Sequence, residues 1–214
     1  MDNRGVIFDC DGVLVDSEPI TNEILRANLA RHGLKIGADD IVSLFVGGTI
    51  AGVASHAREM GADLPDDWVA TIYDEMYARL RKGTPLIDGI VEVLDRLDAA
   101  GVPYAVASNG SLEKMEITLG QTGLWDRFEG RMLSAHVEGV AKPDPELFLR
   151  AARLIGREPH ACTVVEDSPT GAKAAHAAGM RCVGYAAHDD GAKLAAEGAV
   201  VVHSMQDVAR ELGL

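Results

Sequence analysis

Residues 6–18 read VIFDCDGVLVDSE. Val6, Ile7 and Phe8 form an apolar run without alternation, as expected of a short strand covered on both faces. Two aspartates, Asp9 and Asp11, close the run, and Gly12 follows. A strand sends residues i and i+2 to the same side, so both carboxylates can face one point at its end while Cys10 faces away. Working outward, Ile20, Ile24, Leu25 and Leu29 recur at helical steps until His32-Gly33. Further helices fit about 39–45, 49–60 and 65–82, the second preceded by a hinge-like Gly47-Gly48, and nothing strand-like interrupts them. After the connector KGTPLIDG (82–89), helices alternate with the strands PYAVA (103–107), Met132-Leu133, CTVVE (162–166), RCVGY (181–185) and a last apolar run near 199–202. Strands separated by helices of ten or more residues argue a parallel sheet with right-handed crossovers. The first strand, stranded ahead of the helical block, belongs most simply to that sheet. The expectation is an α/β chain: a Rossmann-like parallel sheet sandwiched by helices, core residues 1–15 and 86–214, with an α-helical cap domain inserted over 16–85.

The 214 residues suit one large domain or a core with a smaller companion. A formal net charge of -13 repels nucleic acid and anionic membrane surfaces, so neither is an expected partner. No apolar run approaches the roughly 18 residues of a membrane helix, and MDNRG lacks the layout of a signal peptide. A cytoplasmic monomer is expected. Cys10, Cys162 and Cys182 show no C-x-x-C spacing and no histidine partners at metal-ligand spacing, so they read as reduced, buried residues.

In an open parallel sheet, ligands bind beyond the carboxyl ends of the strands. Asp9 and Asp11, Ser108-Asn109-Gly110, and Glu166-Asp167-Ser168 all end strands on that edge. Converging acidic clusters repel one another unless a cation lies between them. Oxygen ligands without His or Cys select Mg²⁺. Lys142, in AKPDPELF (141–148), adds a local positive charge that suggests a phosphate. It precedes a helix expected to start at Asp144-Pro145, where the dipole disfavours a lysine. Ser108, Asn109 and Gly110 can offer a hydroxyl and main-chain amides to phosphate oxygens.

These stretches, in this order, resemble the haloacid dehalogenase superfamily of phosphatases and phosphomutases. DCDGVLVDSE resembles its first motif, ASNG its second, AKPDPELF its third and VVEDSPTG its fourth. The resemblance implies that Asp9 attacks phosphorus to form an aspartyl phosphate, and that Asp11 protonates the leaving alcohol and then activates water. It implies Mg²⁺ ligation by Asp9, Asp167 and the main-chain carbonyl of Asp11, with Glu166 assisting directly or through water, and Ser108 and Lys142 on the transferring phosphoryl group. Dehalogenating members lack the second aspartate that Asp11 supplies here. Within the superfamily the chain is similar to β-phosphoglucomutase and sugar-phosphate phosphatases. The mutase has a cap histidine where Thr21 stands and an arginine in the loop matching GGTIAG (47–52), so hydrolysis of a small phosphorylated metabolite, a sugar or sugar-acid phosphate, is the expected activity. A mutase is the alternative reading, and a catalytically idle binding module is the second. Thr21, Gly47, Gly48, Thr49 and the basic run containing Arg79 and Lys82 are the cap residues expected to set substrate specificity.

Overall fold

The computed structural model describes residues 3–37, 40–41 and 49–214. These residues form two compact units, one built from Met1–Asp16 with Pro85–Leu214 and the other from Ser17–Thr84. In the larger unit, six strands make one sheet: β1 (Gly5–Phe8), β2 (Tyr104–Ser108), β3 (Met132–Ser134), β4 (Cys162–Glu166), β5 (Arg181–Tyr185) and β6 (Val200–Val202). Every pairing is parallel and the order is β3-β2-β1-β4-β5-β6. The chain therefore runs outward from β1 in one direction, then returns to place β4 on its other side. That reversal opens a crevice beyond the carboxyl ends of β1 and β4, where open α/β sheets bind ligands.

Alternation within the central strands supplies a core on each face. Val6 and Phe8, with Tyr104 and Val106, enter one apolar layer; Ile7, Ala105 and Ala107 enter the other. The first layer is covered by α4 (Ile90–Ala100), α5 (Leu112–Gly120) and α10 (Met205–Glu211). Phe8, Tyr104 and Phe128 pack edge to face there, with centroids 5.2 to 6.4 Å apart. The second layer is covered by α7 (Glu146–Leu154), α8 (Pro169–Ala177) and α9 (Ala192–Ala196). Alanines at 172, 174 and 175 let α8 sit close to the sheet. The short α6 (Ala135–Glu138) follows β3. All three cysteines are free and buried.

The smaller unit is helical. It contains α1 (Glu18–Arg31), α2 (Ile50–Glu59) and α3 (Trp68–Leu80). Trp68 donates its indole N–H to Asn28 Oδ1 at 2.7 Å, and Asn28 Nδ2 and Arg31 both donate to Glu75, which ties α1 to α3. The helix expected at 39–45 and the residues Gly47 and Gly48 lie largely or wholly outside the described residues. Among the described residues, no helix is long and apolar enough to cross a membrane.

Candidate active site

β1 stops at Phe8, but its alternation continues for two residues. Cys10 joins Val6 and Phe8 in the first apolar layer, and Asp9 points the other way into the crevice. Asp9 is held from behind, because its N–H donates to the Val165 carbonyl of β4 at 2.9 Å. The chain then turns sharply: Leu14 N and Val15 N both donate to the Cys10 carbonyl. Gly12 sits at the tip with φ +75, and a β-carbon there would overlap Asp167 Oδ2. A side chain is thus excluded twice, by backbone conformation and by the approach of a carboxylate.

Lys142 carries the positive charge into this acidic edge. Its ammonium lies 2.6 Å from Glu166 Oε1, to which it donates, and 2.8 Å from Asp9 Oδ1. Apart from this ion pair, Asp9 Oδ1 is a buried oxygen without a hydrogen-bond partner. We read the Asp9 contact as an ion pair that leaves that oxygen able to accept another ligand. The Phe148 ring, 5.2 Å from the ammonium, forms an apolar wall on Lys142. Burial pushes the Asp9 carboxyl up to about 7; Lys142 opposes this, and the charges of Glu166 and Asp11 add to it. Burial pulls the Lys142 ammonium the other way, yet Asp9 and Glu166 more than offset that and hold it above its ordinary value.

Glu166 ends β4 and is completely buried. Its second oxygen accepts from both the N–H and the hydroxyl of Ser168, at 2.7 and 2.8 Å. Ser168 also caps α8 by accepting from Gly171 N. A β-carbon on Gly171 would overlap the Glu166 carboxylate, so the first turn of α8 is shaped around it. Asp9, Glu166 and Asp167 each offer a carboxylate oxygen, and these atoms lie within 4.8 Å of one another. Three hard oxygen donors, one of them buried without a hydrogen bond, fit a hard cation.

The loop after β2 completes the edge. Ser108 is buried, and its Oγ accepts from Gly110 N at 3.0 Å. The Asn109 side chain clamps Lys142, donating to its carbonyl at 3.1 Å and accepting from its N–H at 2.8 Å. Asn109 thus joins two loops through its side chain. Ser134, at the end of β3, donates to the Gly110 carbonyl at 2.7 Å. Asp11 faces a different cation from Asp9: Lys114 Nζ of α5 lies 2.8 Å from its Oδ1. Sequence reasoning passed over Lys114 and Ser134. Lys114 did carry a signal, because a lysine in the first turn of a helix opposes the dipole.

In the helical unit, Thr21, Thr49, Arg79 and Lys82 are the expected specificity residues that fall within the described residues. The Thr21 hydroxyl donates within its own helix to the carbonyls of Ser17 and Glu18. Thr49 caps α2 by accepting from Gly52 N. Arg79 donates to the Gly83 carbonyl and Lys82 is exposed.

The chain belongs to the haloacid dehalogenase-like hydrolase family, whose model matches residues 4–179. Hexitol phosphatase A of Escherichia coli K12 is 30% identical over 207 residues, covering 96% of this chain and 93% of that protein. A haloacid dehalogenase-like protein from Agrobacterium tumefaciens C58 superposes with a TM-score of 0.87 at 31% identity, covering 97% of this chain and 96% of that one. A family hydrolase from Deinococcus radiodurans R1, solved with bound phosphate and sodium, gives a TM-score of 0.84 at 32% identity over 99% and 96% of the two chains. The α/β fold expected from the sequence is the fold observed. The expected enzyme class, a phosphatase of this family, agrees with the family match and with relatives named for that activity.

Proposed function

We propose that this enzyme is a Mg²⁺-dependent phosphomonoester hydrolase acting on a small phosphorylated metabolite, a sugar or sugar-acid phosphate, through an aspartyl phosphate on Asp9. The observation that carries the reading is the buried Asp9 carboxylate, paired with Lys142 and grouped with Glu166 and Asp167, at the sheet's switch point. The side chains of Asp9, Glu166 and Asp167 and the main-chain carbonyl of Asp11 would hold the cation. When bound, Mg²⁺ supplies the positive charge that lets a phosphate dianion enter among carboxylates.

This chain's residues then divide the work. Asp9 must be ionised to act, and Lys142 favours that form against burial. Ser108 Oγ and the main-chain amides after it take the phosphoryl oxygens, and Lys142 neutralises charge as it moves between them. Asp9 attacks phosphorus while the ester P–O bond breaks; the leaving oxygen keeps the bonding pair and takes a proton from Asp11. Water then attacks the same phosphorus and gives a proton to Asp11. The Asp9–phosphorus bond breaks, freeing phosphate and restoring the carboxylate. Asn109 acts by fixing the Lys142 loop through its two hydrogen bonds.

Likeness to a hexitol phosphatase supports a polyol or sugar phosphate. We assign substrate choice to the helical unit, with Thr21, Thr49, Arg79 and Lys82 as candidates. Thr21 in place of a histidine favours hydrolysis over a mutase. The test is a panel of phosphorylated metabolites run with Mg²⁺ and with excess chelator, beside Asp9→Asn. Turnover should require the metal and should fall by several powers of ten in the variant. Full activity in chelator would overturn the site assignment.

A further inference from the structure

Lys114 lies on the acidic edge, paired with Asp11, and the reaction above leaves it without a task. Its position is costly on local grounds. Ser111 caps α5 by accepting from Lys114 N, which makes Lys114 the third residue of the helix. A glutamate there would reach back to the cap and suit the positive end of the dipole; a lysine opposes both. The compensation lies across the loop. Lys114 Nζ sits 2.8 Å from Asp11 Oδ1, with the two side chains only 18% and 21% exposed. A β-carbon on Gly110 would come within 3.7 Å of Lys114 Cδ, 3.4 Å of Asp11 Oδ2 and 3.2 Å of Ser108 Oγ. The lysine stem therefore passes Gly110 on its way to Asp11, beside the loop proposed to hold the phosphoryl group.

We propose that Lys114 is a positioning residue for Asp11: it anchors Oδ1, so that Oδ2 is the oxygen that gives a proton to the leaving group. Asp11 and Asp9 are thus held by different lysines, on different elements. Lys142 serves the attacking carboxylate and Lys114 the proton carrier. When the proton leaves Oδ2 for the departing oxygen, the negative charge created on Asp11 meets an ammonium already in place, with no side chain needing to move. The inference rests on the proposed role of Asp11 as general acid.

That role makes the inference separable from simple support of the helix. Loss of proton donation harms an ester with a basic leaving group and spares one whose leaving group departs as an anion. The test compares kcat/KM for phenyl phosphate and p-nitrophenyl phosphate, two esters of nearly the same shape, in wild type, Asp11→Asn, Lys114→Met and Lys114→Arg. Lys114→Met keeps the stem and removes the charge. It should lose about 30-fold or more on phenyl phosphate, a part of the 10²- to 10⁴-fold that general acid catalysis supplies, and less than about threefold on the nitro ester. Lys114→Arg should recover most of the phenyl phosphate loss. Equal losses on both esters, or no loss on either, would overturn the positioning role. Asp11→Asn separates the two claims. If it shows the leaving-group pattern and Lys114→Met does not, the inference fails while the role of Asp11 stands. If Asp11→Asn loses equally on both esters, the role of Asp11 fails and the inference falls with it.

Discussion

Replacing Lys142 with methionine keeps the length of the stem and its packing on Phe148 but deletes the ammonium that pairs with both Asp9 and Glu166. The lysine side chain is 2% exposed and Glu166 is 0% exposed, so solvent cannot screen the carboxylates left behind. Breaking a buried ion pair by removing one partner costs about 3–5 kcal/mol, because an uncompensated charge stays buried. The sign with pH follows from Asp9. Its folded value is raised to about 7, so the folded protein holds that proton more tightly than the unfolded chain. Stability is therefore lost as pH rises from the ordinary aspartate range through about 7. Without Lys142 the folded value rises further and the decline continues to higher pH. Urea unfolding followed by circular dichroism, in chelator from pH 5 to pH 8, should show the variant weaker by about 3–5 kcal/mol at pH 8. The gap should shrink toward pH 5, where Asp9 is protonated in both proteins. A gap under about 1 kcal/mol at pH 8, or one that does not change with pH, would refute this electrostatic account.

Gly12→Ala should lower turnover by about 100-fold or more, since it places a β-carbon against Asp167 at a backbone φ of +75 and shifts the site geometry; steady-state kinetics on p-nitrophenyl phosphate reads it. Asn28→Ala removes the acceptor for the fully buried Trp68 indole and should destabilise the protein by about 1–3 kcal/mol in urea unfolding. Burial raises the Glu75 carboxyl, but hydrogen bonds from Arg31 and Asn28 outweigh it and hold the group below its ordinary value. A lowered carboxylate contributes stability above its unfolded value and loses it as pH falls through the folded one. With both partners well exposed, Glu75→Gln should remove less than about 1 kcal/mol at pH 7, and the difference should vanish in acid.

The parallel sheet was legible because buried strands such as CTVVE and RCVGY are apolar without alternation, and helices separate them. Their observed bounds, Cys162–Glu166 and Arg181–Tyr185, match those runs. The first strand's place in the sheet was legible too; its central position, with β2 and β4 on either side, was not, since sequence spacing says nothing about strand order. The helix Ala192–Ala196 went unread because five residues are too short to show a period. Helix starts also moved. The start expected at Asp144-Pro145 appears as a cap at Pro145, with Asp144 Oδ1 accepting from Glu146 N. At the acidic edge, the residue types were legible because each ends a strand or opens a helix. Their pairing was not. That Lys142 belongs with Asp9 and Glu166, Lys114 with Asp11, and the Asn109 side chain with the Lys142 backbone depends on loops meeting in space.

The central claim is that phosphorus is attacked twice, first by Asp9 and then by water. Each in-line displacement inverts the configuration at phosphorus, so two displacements restore it. The measurement is the stereochemical course of transfer from a phosphate ester made chiral with oxygen isotopes, trapped by an alcohol acceptor in place of water. The account expects retention at phosphorus. Inversion would mean a single direct displacement, with Asp9 serving only as a ligand, and would contradict it.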